Sequence, residues 1–347
     1  LKLIVQIPCF DEAPTLPRTL AALPRELPGF DVVEWLVIDD GSTDGTAEVA
    51  RRHGVDHLVR LTANKGLANA FQAGLDAALK LGADVIVNTD GDNQYAGEDV
   101  AKLVAPILDG RADMVVGDRG PLAGAAGPAS KRRLQRLGGI VVRSASGTDI
   151  ADPASGFRAY NREAALQLQV VTAFTYTLES LIQAGKLLVA MDQVPVRTNP
   201  VTRPSRLFPS VWIYVRRNAL AIFRVYSHYE PLRVFWGAAL LLGLAAAAIW
   251  GRFLYFLVVD GTSRGHIQSL LLGAVLFNAA MVLGALGVLG DLLYAQRVLA
   301  QRTLERVRRI ELAVGVAPSH YERGDSGEAR AASPASRGME SSTTSAG

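Results

Sequence analysis

A single cysteine, Cys9, stands among 347 residues, which excludes an internal disulfide framework and suits a reducing compartment. A large excess of charge of one sign is lacking as well. Against 36 Lys and Arg stand 33 Asp and Glu, and the net charge of +3 is too mild to point to nucleic acid. The chain opens on the strand-like run Leu3 to Ile7, not on a basic region followed by an apolar core. No secretory signal is therefore expected, and the N-terminal region is expected to stay in the cytosol. What is abundant is apolar surface: 49% of the residues are hydrophobic, enough for a sizeable core and more than one region. Arginines crowd into Lys131 to Arg143, Arg197 to Arg224 and Arg297 to Arg309, flanking polar loops and apolar spans rather than forming one basic face.

Residues 1 to about 120 alternate short apolar runs with helix-like segments. Leu3 to Ile7, Trp35 to Ile38, His57 to Leu61, Val85 to Val87 and Met114 to Val116 read as strands, and Thr46 to His53 and Gly66 to Leu81 as helices. This alternation predicts an α/β fold, a mostly parallel sheet with helices on both faces. Polar residues sit where the strands stop. Pro8-Cys9-Phe10-Asp11-Glu12 follows the first strand, Asp39-Asp40-Gly41-Ser42-Thr43-Asp44-Gly45-Thr46 the second, and Asp90-Gly91-Asp92 the fourth. Ligands of such sheets bind outside the carboxyl ends of the strands, so these loops are expected to line one cleft.

Val85 to Tyr95, VIVNTDGDNQY, is the centre of that expectation. Two carboxylates at a strand end offer hard oxygen ligands, and Mg²⁺ or Mn²⁺ takes a few carboxylates together with phosphate oxygens. Gly91 is expected to let the backbone turn so that Asp90 and Asp92 face one ion. An isolated Asp-Gly-Asp also fits a plain polar turn; the neighbouring acidic loops set this one apart. Asp39 and Asp40 would repel each other unless something polar or charged uses them. Ser42 to Thr46 reads as a turn with a helix cap, and Glu12 fits a helix-start carboxylate as well as a site residue.

The strings IPCFDE, VIDDGSTDGT, NKGLANAFQAGL and TDGDNQ, in this order over the first hundred residues, resemble the family 2 glycosyltransferases with the GT-A fold. The resemblance implies that Pro8, Phe10, Glu12, Asp39 and Asp40 line a nucleotide pocket. It implies that Asp90 and Asp92 engage a divalent metal, Mg²⁺ or Mn²⁺, and the diphosphate, with Gln94 supporting the metal. Asp11 departs from the Asn common at that position in the family.

Further on, Arg119 ends another strand and is followed by a small-residue loop, Pro121 to Ser130, expected to move over substrate. Arg133, in the basic cluster after it, could pair with an acceptor phosphate. DPASGFRAYNR, from Asp152 to Arg162, resembles the acceptor-side motif of polyprenyl-phosphate glycosyltransferases, the dolichol-phosphate mannosyltransferase group. By that resemblance Asp152 approaches the reacting centre, Ser155 lies on the acceptor side, and Arg203 or Arg206 closes on the donor diphosphate. Taken alone, Asp152 also fits a turn residue before Pro153, and Glu179 a surface helix position.

Residues 208–232 mix aromatics with arginine, a pattern of helices in the headgroup region. Val234 to Gly251 carries no charge and covers roughly 27 Å as a helix, close to a bilayer core, and Ile267 to Gly290 is a second such span, ended by Asp291. Arginine before the first span and after the second places both ends on the cytosolic side. The domain expectation is thus a catalytic region over 1–207, interfacial helices over 208–232, two spans over 233–294, an amphipathic helix over 295–315 and a disordered tail over 316–347. Gly273, Ala274, Gly284 and Gly287 offer small-residue contacts for a homo-oligomer.

These features lead to one expected activity: inverting transfer of a hexose from a UDP- or GDP-linked sugar to a polyprenyl phosphate at the inner membrane. A membrane polysaccharide synthase is the nearest rival, but the Gln-x-x-Arg-Trp motif and extra spans usual in such synthases are missing. A non-catalytic membrane partner that only binds nucleotide-sugar is the other.

Overall fold

A computed structural model describes residues 1–120, 143, 146–170, 176–200, 227, 229–260 and 267–324. Its centre is β1 (Lys2–Cys9), whose run of branched and aliphatic residues is buried on both faces. β2 (Val32–Asp39) lies parallel on one side of it and β4 (Val85–Asn88) parallel on the other. β3 (His57–Arg60) continues the sheet beyond β2. On the far side of β4, β6 (Arg158–Asn161) runs antiparallel between β4 and β5 (Met114–Asp118), and β7 (Met191–Pro195) joins β5 in parallel. The eight-stranded order is β7-β5-β6-β4-β1-β2-β3-β8. The mostly parallel α/β sheet expected from the strand runs is present. Because the chain leaves β1 towards β2 and returns to its opposite side as β4, the carboxyl ends of β1 and β4 flank a topological switch point, where such sheets open a crevice.

Two apolar layers hold helices against the sheet. Leu3, Val5 and Ile7 face α1 (Leu16–Ala22), α2 (Thr46–Arg52) and α4 (Val100–Leu108). Ile4, Leu36 and Ile38 face α3 (Leu67–Lys80), α5 (Arg162–Gln167) and α6 (Tyr176–Lys186). In α3, Ala68, Phe71, Leu75 and Ala78 recur at helical spacing and bury one stripe. Phe71 stacks on Tyr176 with ring centroids 4.2 Å apart, tying α3 to α6.

The chain divides into two compact units, Leu1–Pro209 with Glu305–Gly347, and Ser210–Leu304. The second holds α7 (Pro231–Asp260) and most of α8 (Ile267–Val314), both long and apolar enough to cross a membrane. Their leucines are outside: Leu241 is 70% and Leu271 66% exposed, the reverse of core helices. Trp250 donates to the carbonyl of Leu270 at 3.2 Å and its ring lies 5.4 Å from that of Phe277. A side chain on Gly273 or Gly287 would strike Trp250 or Trp236, so two of the small residues marked for oligomer contact already serve packing within the helix pair.

Two expectations need correction. The span ended by Asp291 and the amphipathic helix after it are one continuous helix of 48 residues, about 72 Å long. From Asp291 to Val314 no Gly or Pro interrupts it, and Gly315, at φ +78°, is the first residue suited to end it. The supposed disordered tail from 316 begins instead with β8 (Tyr321–Arg323), antiparallel to β3. That strand covers an otherwise open sheet edge. Arg308, on the last turns of α8, donates to the carbonyls of Leu166 and Leu168 at 3.2 and 2.9 Å, and Lys80 pairs with Glu311 at 3.2 Å. The tail beyond 324 and residues 201–226 lie outside the described residues.

Candidate active site

Four strand ends converge at the switch point. At the end of β1, Pro8 is buried and Phe10 is 40% exposed. Asp11, at φ +51°, donates its N–H to Ser42 Oγ and accepts from the N–H of Thr43, both at 2.9 Å. Glu12 donates its N–H to Thr46 Oγ1, and Ala13 donates to Asp44 Oδ2, again at 2.9 Å. Ser42 to Thr46 therefore stitch the β2 loop to the β1 loop, and the cap position of α2 is Gly45, not Asp44 or Thr43. Glu12 does act at a helix start: its carbonyl accepts from Thr15 and Leu16, and its Oε2 accepts from Thr15 Oγ1 at 2.5 Å.

Asp39 and Asp40 are both buried, and backbone donors account for most of their contacts. Asp39 Oδ1 accepts from Ser42 N at 2.9 Å, while Arg60 Nε stands 3.6 Å from Oδ2. Each oxygen of Asp40 takes one N–H at 2.8 Å, from Lys65 and from Gly66. Burial nevertheless raises the pKa of Asp40, those two bonds opposing it. Asp40 is thus held by the chain itself, while Asp39 Oδ2 makes no hydrogen bond.

The end of β4 differs. Burial, and then the neighbouring charge of Asp92, push the Asp90 pKa up to about 7. Asp92 Oδ1 accepts from the N–H of Gln94 at 3.1 Å, and the Gln94 carbonyl accepts from Asn199 N at 2.8 Å. The left-handed residue of this turn is Asn93, at φ +59°, so the turn does not rest on Gly91. Gly91 is needed for a close approach instead: a Cβ there would lie 2.8 Å from Cys9 Sγ. The Cys9 thiol has its pKa raised well up by burial and then by Glu12, Asp39, Asp90 and Asp44, a measure of how many carboxylates crowd the end of β1.

Arg119, just past β5, is clamped to Asp152 by two bonds, Nε to Oδ2 at 2.6 Å and Nη2 to Oδ1 at 3.0 Å. Burial works against the charge of Arg119, but the bond to Asp152 outweighs it and the pKa is raised. Ser155 is fully buried on the Asp152 turn. The next residue, Gly156, packs close to Asp90: a Cβ there would stand 3.1 Å from both Asp90 oxygens and 2.7 Å from the Tyr176 hydroxyl. Arg133, Arg203 and Arg206 lie outside the described residues.

The strand pattern left several site residues unmarked. Asn88 accepts from Gln6 Nε2 at 2.9 Å and donates to the Gly156 carbonyl and the Tyr176 hydroxyl at 2.8 and 3.1 Å. Tyr95 accepts the Gly156 N–H at 3.0 Å, and burial, followed by the Asp90 charge, pushes its pKa up to about 12. Asn199 bonds the carbonyls of Asn93 and Tyr95 at 3.0 and 3.3 Å. A polar Asn ending the VIV run was a visible signal for Asn88; Tyr176 and Asn199 have none in the sequence around them.

Among the described residues no group of three or more His, Cys, Asp or Glu is placed to hold a metal ion. Asp90 and Asp92 fit a cation in another way. Burial and the neighbouring charge of Asp92 raise the pKa of Asp90, and a divalent ion whose remaining ligands come from a phosphorylated substrate would relieve it. Chemically, the site joins an acid pair of this kind to a guanidinium–carboxylate pair, across a turn only a glycine fits.

A family model described as Glycosyl transferase family 2 matches residues 4–168. An uncharacterized glycosyltransferase of Mycobacterium tuberculosis is 37% identical over 203 residues, 57% of this chain and 85% of that protein. The undecaprenyl-phosphate mannosyltransferase of Micrococcus luteus is 28% identical over 206 residues, 56% of this chain and 83% of its own length. Among solved structures, glucosyl-3-phosphoglycerate synthase from Mycobacterium tuberculosis, in complex with Mn²⁺, UDP-glucose and phosphoglyceric acid, superposes with a TM-score of 0.51 at 22% identity. The match covers 64% of this chain and 79% of that one, a likeness of fold.

Proposed function

The chain belongs to the family 2 glycosyltransferases, and we propose that it moves a hexose from a UDP- or GDP-linked sugar to a polyprenyl phosphate, with inversion, giving polyprenyl-phosphate-sugar. The observation that carries this is the Arg119–Asp152 pair, whose guanidinium acts electrostatically on Asp90, so that a cation able to meet phosphate and a carboxylate able to meet a metal share one site. Supporting the lipid acceptor are the two apolar helices and the name of the Micrococcus relative. The nucleotide lies along the ends of β1 and β2, against Pro8, Phe10, Glu12, Asp39 and Asp40. Mg²⁺ or Mn²⁺ held by Asp90 and Asp92, with Gln94 in support, would supply positive charge for the departing diphosphate.

The acceptor phosphate is already ionised at neutral pH, so Asp152 need not remove a proton. One phosphate oxygen attacks the anomeric carbon, the glycosidic C–O bond breaks, and the nucleoside diphosphate leaves with the bonding pair. Arg119 is drawn towards phosphate charge and Asp152 sets its fork. Ser155, Arg133, and Arg203 or Arg206 complete the phosphate contacts. The chain lies in the inner membrane through both helices, with the catalytic unit and both ends cytosolic, since arginine flanks the pair of spans and is sparse between them.

Detergent-purified protein given short-chain polyprenyl phosphate, Mn²⁺ or Mg²⁺ and a panel of radiolabelled UDP- and GDP-sugars tests this. Label entering the lipid phase with one donor, and lost on chelation, is the expected result, and GDP-mannose is the first donor to try given the Micrococcus relative. Nucleotide binding without transfer from any donor would favour a non-catalytic binding partner.

A further inference from the structure

The largest fully buried side chain among the described residues is an arginine, Arg158, at 0% exposure. Arginine is seldom buried unless something holds its charge. Here the donors go to neutral oxygens. Nε bonds the Ser155 carbonyl at 2.8 Å, Nη2 the Pro153 carbonyl at 2.8 Å, and Nη1 the Thr177 carbonyl at 2.8 Å and Ser180 Oγ at 2.9 Å. Two of these acceptors lie on the turn that carries Asp152, and two on the first turns of α6.

The backbone of Arg158 is placed with equal consequence. In the sheet it stands opposite Asn88 of β4 and Val116 of β5. Those strands deliver Asp90 two residues beyond Asn88 and Arg119 three residues beyond Val116. One residue thus touches, through backbone or side chain, the segments that carry Asp90, Arg119 and Asp152. A guanidinium has a rigid planar fork and can grip several carbonyls at fixed angles, which an ammonium cannot.

We propose that Arg158 is a positioning residue that clamps the Pro153–Ser155 turn to α6, fixing Asp152 where its carboxylate aligns Arg119. This rests on the role given above to Asp152, and it assigns Arg158 no contact with substrate.

The test is a coupling measurement on the full chain in detergent, with Arg158→Lys, Asp152→Asn and the double variant assayed for transfer and for nucleotide binding. Arg158→Lys keeps the charge and loses the fork. It is expected to lower kcat about 10- to 100-fold, the scale of a misplaced catalytic group, with nucleotide affinity within about twofold of the parent. In the Asp152→Asn background the same change is expected to lower kcat less than about twofold further, because the group being positioned is gone. Equal losses in both backgrounds would overturn the proposal, as would a loss of nucleotide affinity matching the loss of kcat. A parental rate in Asp152→Asn alone would instead sink the role of Asp152. Where Asp152→Asn is too slow to read, Asp152→Glu replaces it. Where Arg158→Lys fails to fold, Ser180→Ala removes one acceptor of the clamp and is expected to lose a few-fold in kcat with the same non-additivity.

Discussion

The ends of β2 and β4 look alike as sequence, each an apolar run stopping in two acids, and they differ in what surrounds the carboxylates. At β2, Asp40 accepts backbone N–H groups from Lys65 and Gly66, one on each oxygen, and so holds the loop leading into α3. At β4, burial and Asp92 drive the Asp90 pKa to about 7. At β2 the backbone holds both oxygens of Asp40, while Asp39 Oδ2 has Arg60 at 3.6 Å but no hydrogen bond. At β4 burial and a like charge set up an environment that a cation would relieve.

Substitution at β4 breaks this comparison most strongly. Asp92→Ala is expected to reduce transfer by about 10³-fold or more, since charge on the leaving diphosphate loses its counterpart, while the protein stays folded. Without metal, Asp90→Asn is expected to raise Tm above pH 7. The sign follows from the raised carboxyl: relative to an unfolded value near 3.8, ionising Asp90 in the folded protein costs stability, and that cost is fully present above about pH 7. Adding Mn²⁺ should raise the Tm of the parent chiefly at high pH and leave Asp90→Asn almost unmoved. Unchanged transfer in Asp92→Ala, or an equal metal response in Asp90→Asn, would remove the metal site from this position.

At β2 the outcome is expected to be one of stability. Asp40→Ala leaves the N–H groups of Lys65 and Gly66 without their acceptor, a loss of roughly 2–3 kcal/mol for a buried carboxylate with two charge-assisted bonds. Thermal melts should show it with or without nucleotide. If instead Tm holds and nucleotide affinity falls, Asp40 belongs with the substrate rather than with the loop.

How much of this the sequence could show varies with distance along the chain. β1 to β5 were legible because each contains a short apolar run ending near polar residues, and the acidic edge followed from those ends. The partner of Arg119 is 33 residues away at Asp152, and only the antiparallel insertion of β6 between β4 and β5 brings the two together. Arg158 looked like one more motif arginine, since nothing local tells a buried guanidinium from an exposed one. β8 is three residues, Tyr-Glu-Arg, with no apolar alternation; its place is set by partners on β3 and α2, through His57 and Arg51. The hydropathy drop at Asp291 marked where apolar residues thin out, but a helix ends on backbone grounds, and those arise only at Gly315.

A third acid sharpens the contrast from the opposite direction. Glu34, on β2, faces His57 Nε2 at 2.6 Å and Lys2 Nζ at 2.7 Å. Burial alone would raise its pKa, as at Asp90, but the bonds from His57 and Lys2 outweigh it and hold Glu34 down at about 2. A carboxyl lowered on folding contributes stability that is fully present above its unfolded value, near 4.5, and is lost as pH falls through about 2. The sign is therefore opposite to that at Asp90, where acid relieves the folded state. Because His57 Nδ1 also meets the Tyr321 hydroxyl at 2.9 Å, the loss is expected to start at the sheet edge that β8 covers. Glu34→Gln should lower stability at pH 7 by a kcal/mol or two and flatten the decline between pH 4.5 and 2, with hydrogen exchange of β3 amides rising first. An acid limb as steep in Glu34→Gln as in the parent would mean that other carboxylates set the acid stability of this edge, and that β8 is held by its backbone pairing with β3 alone.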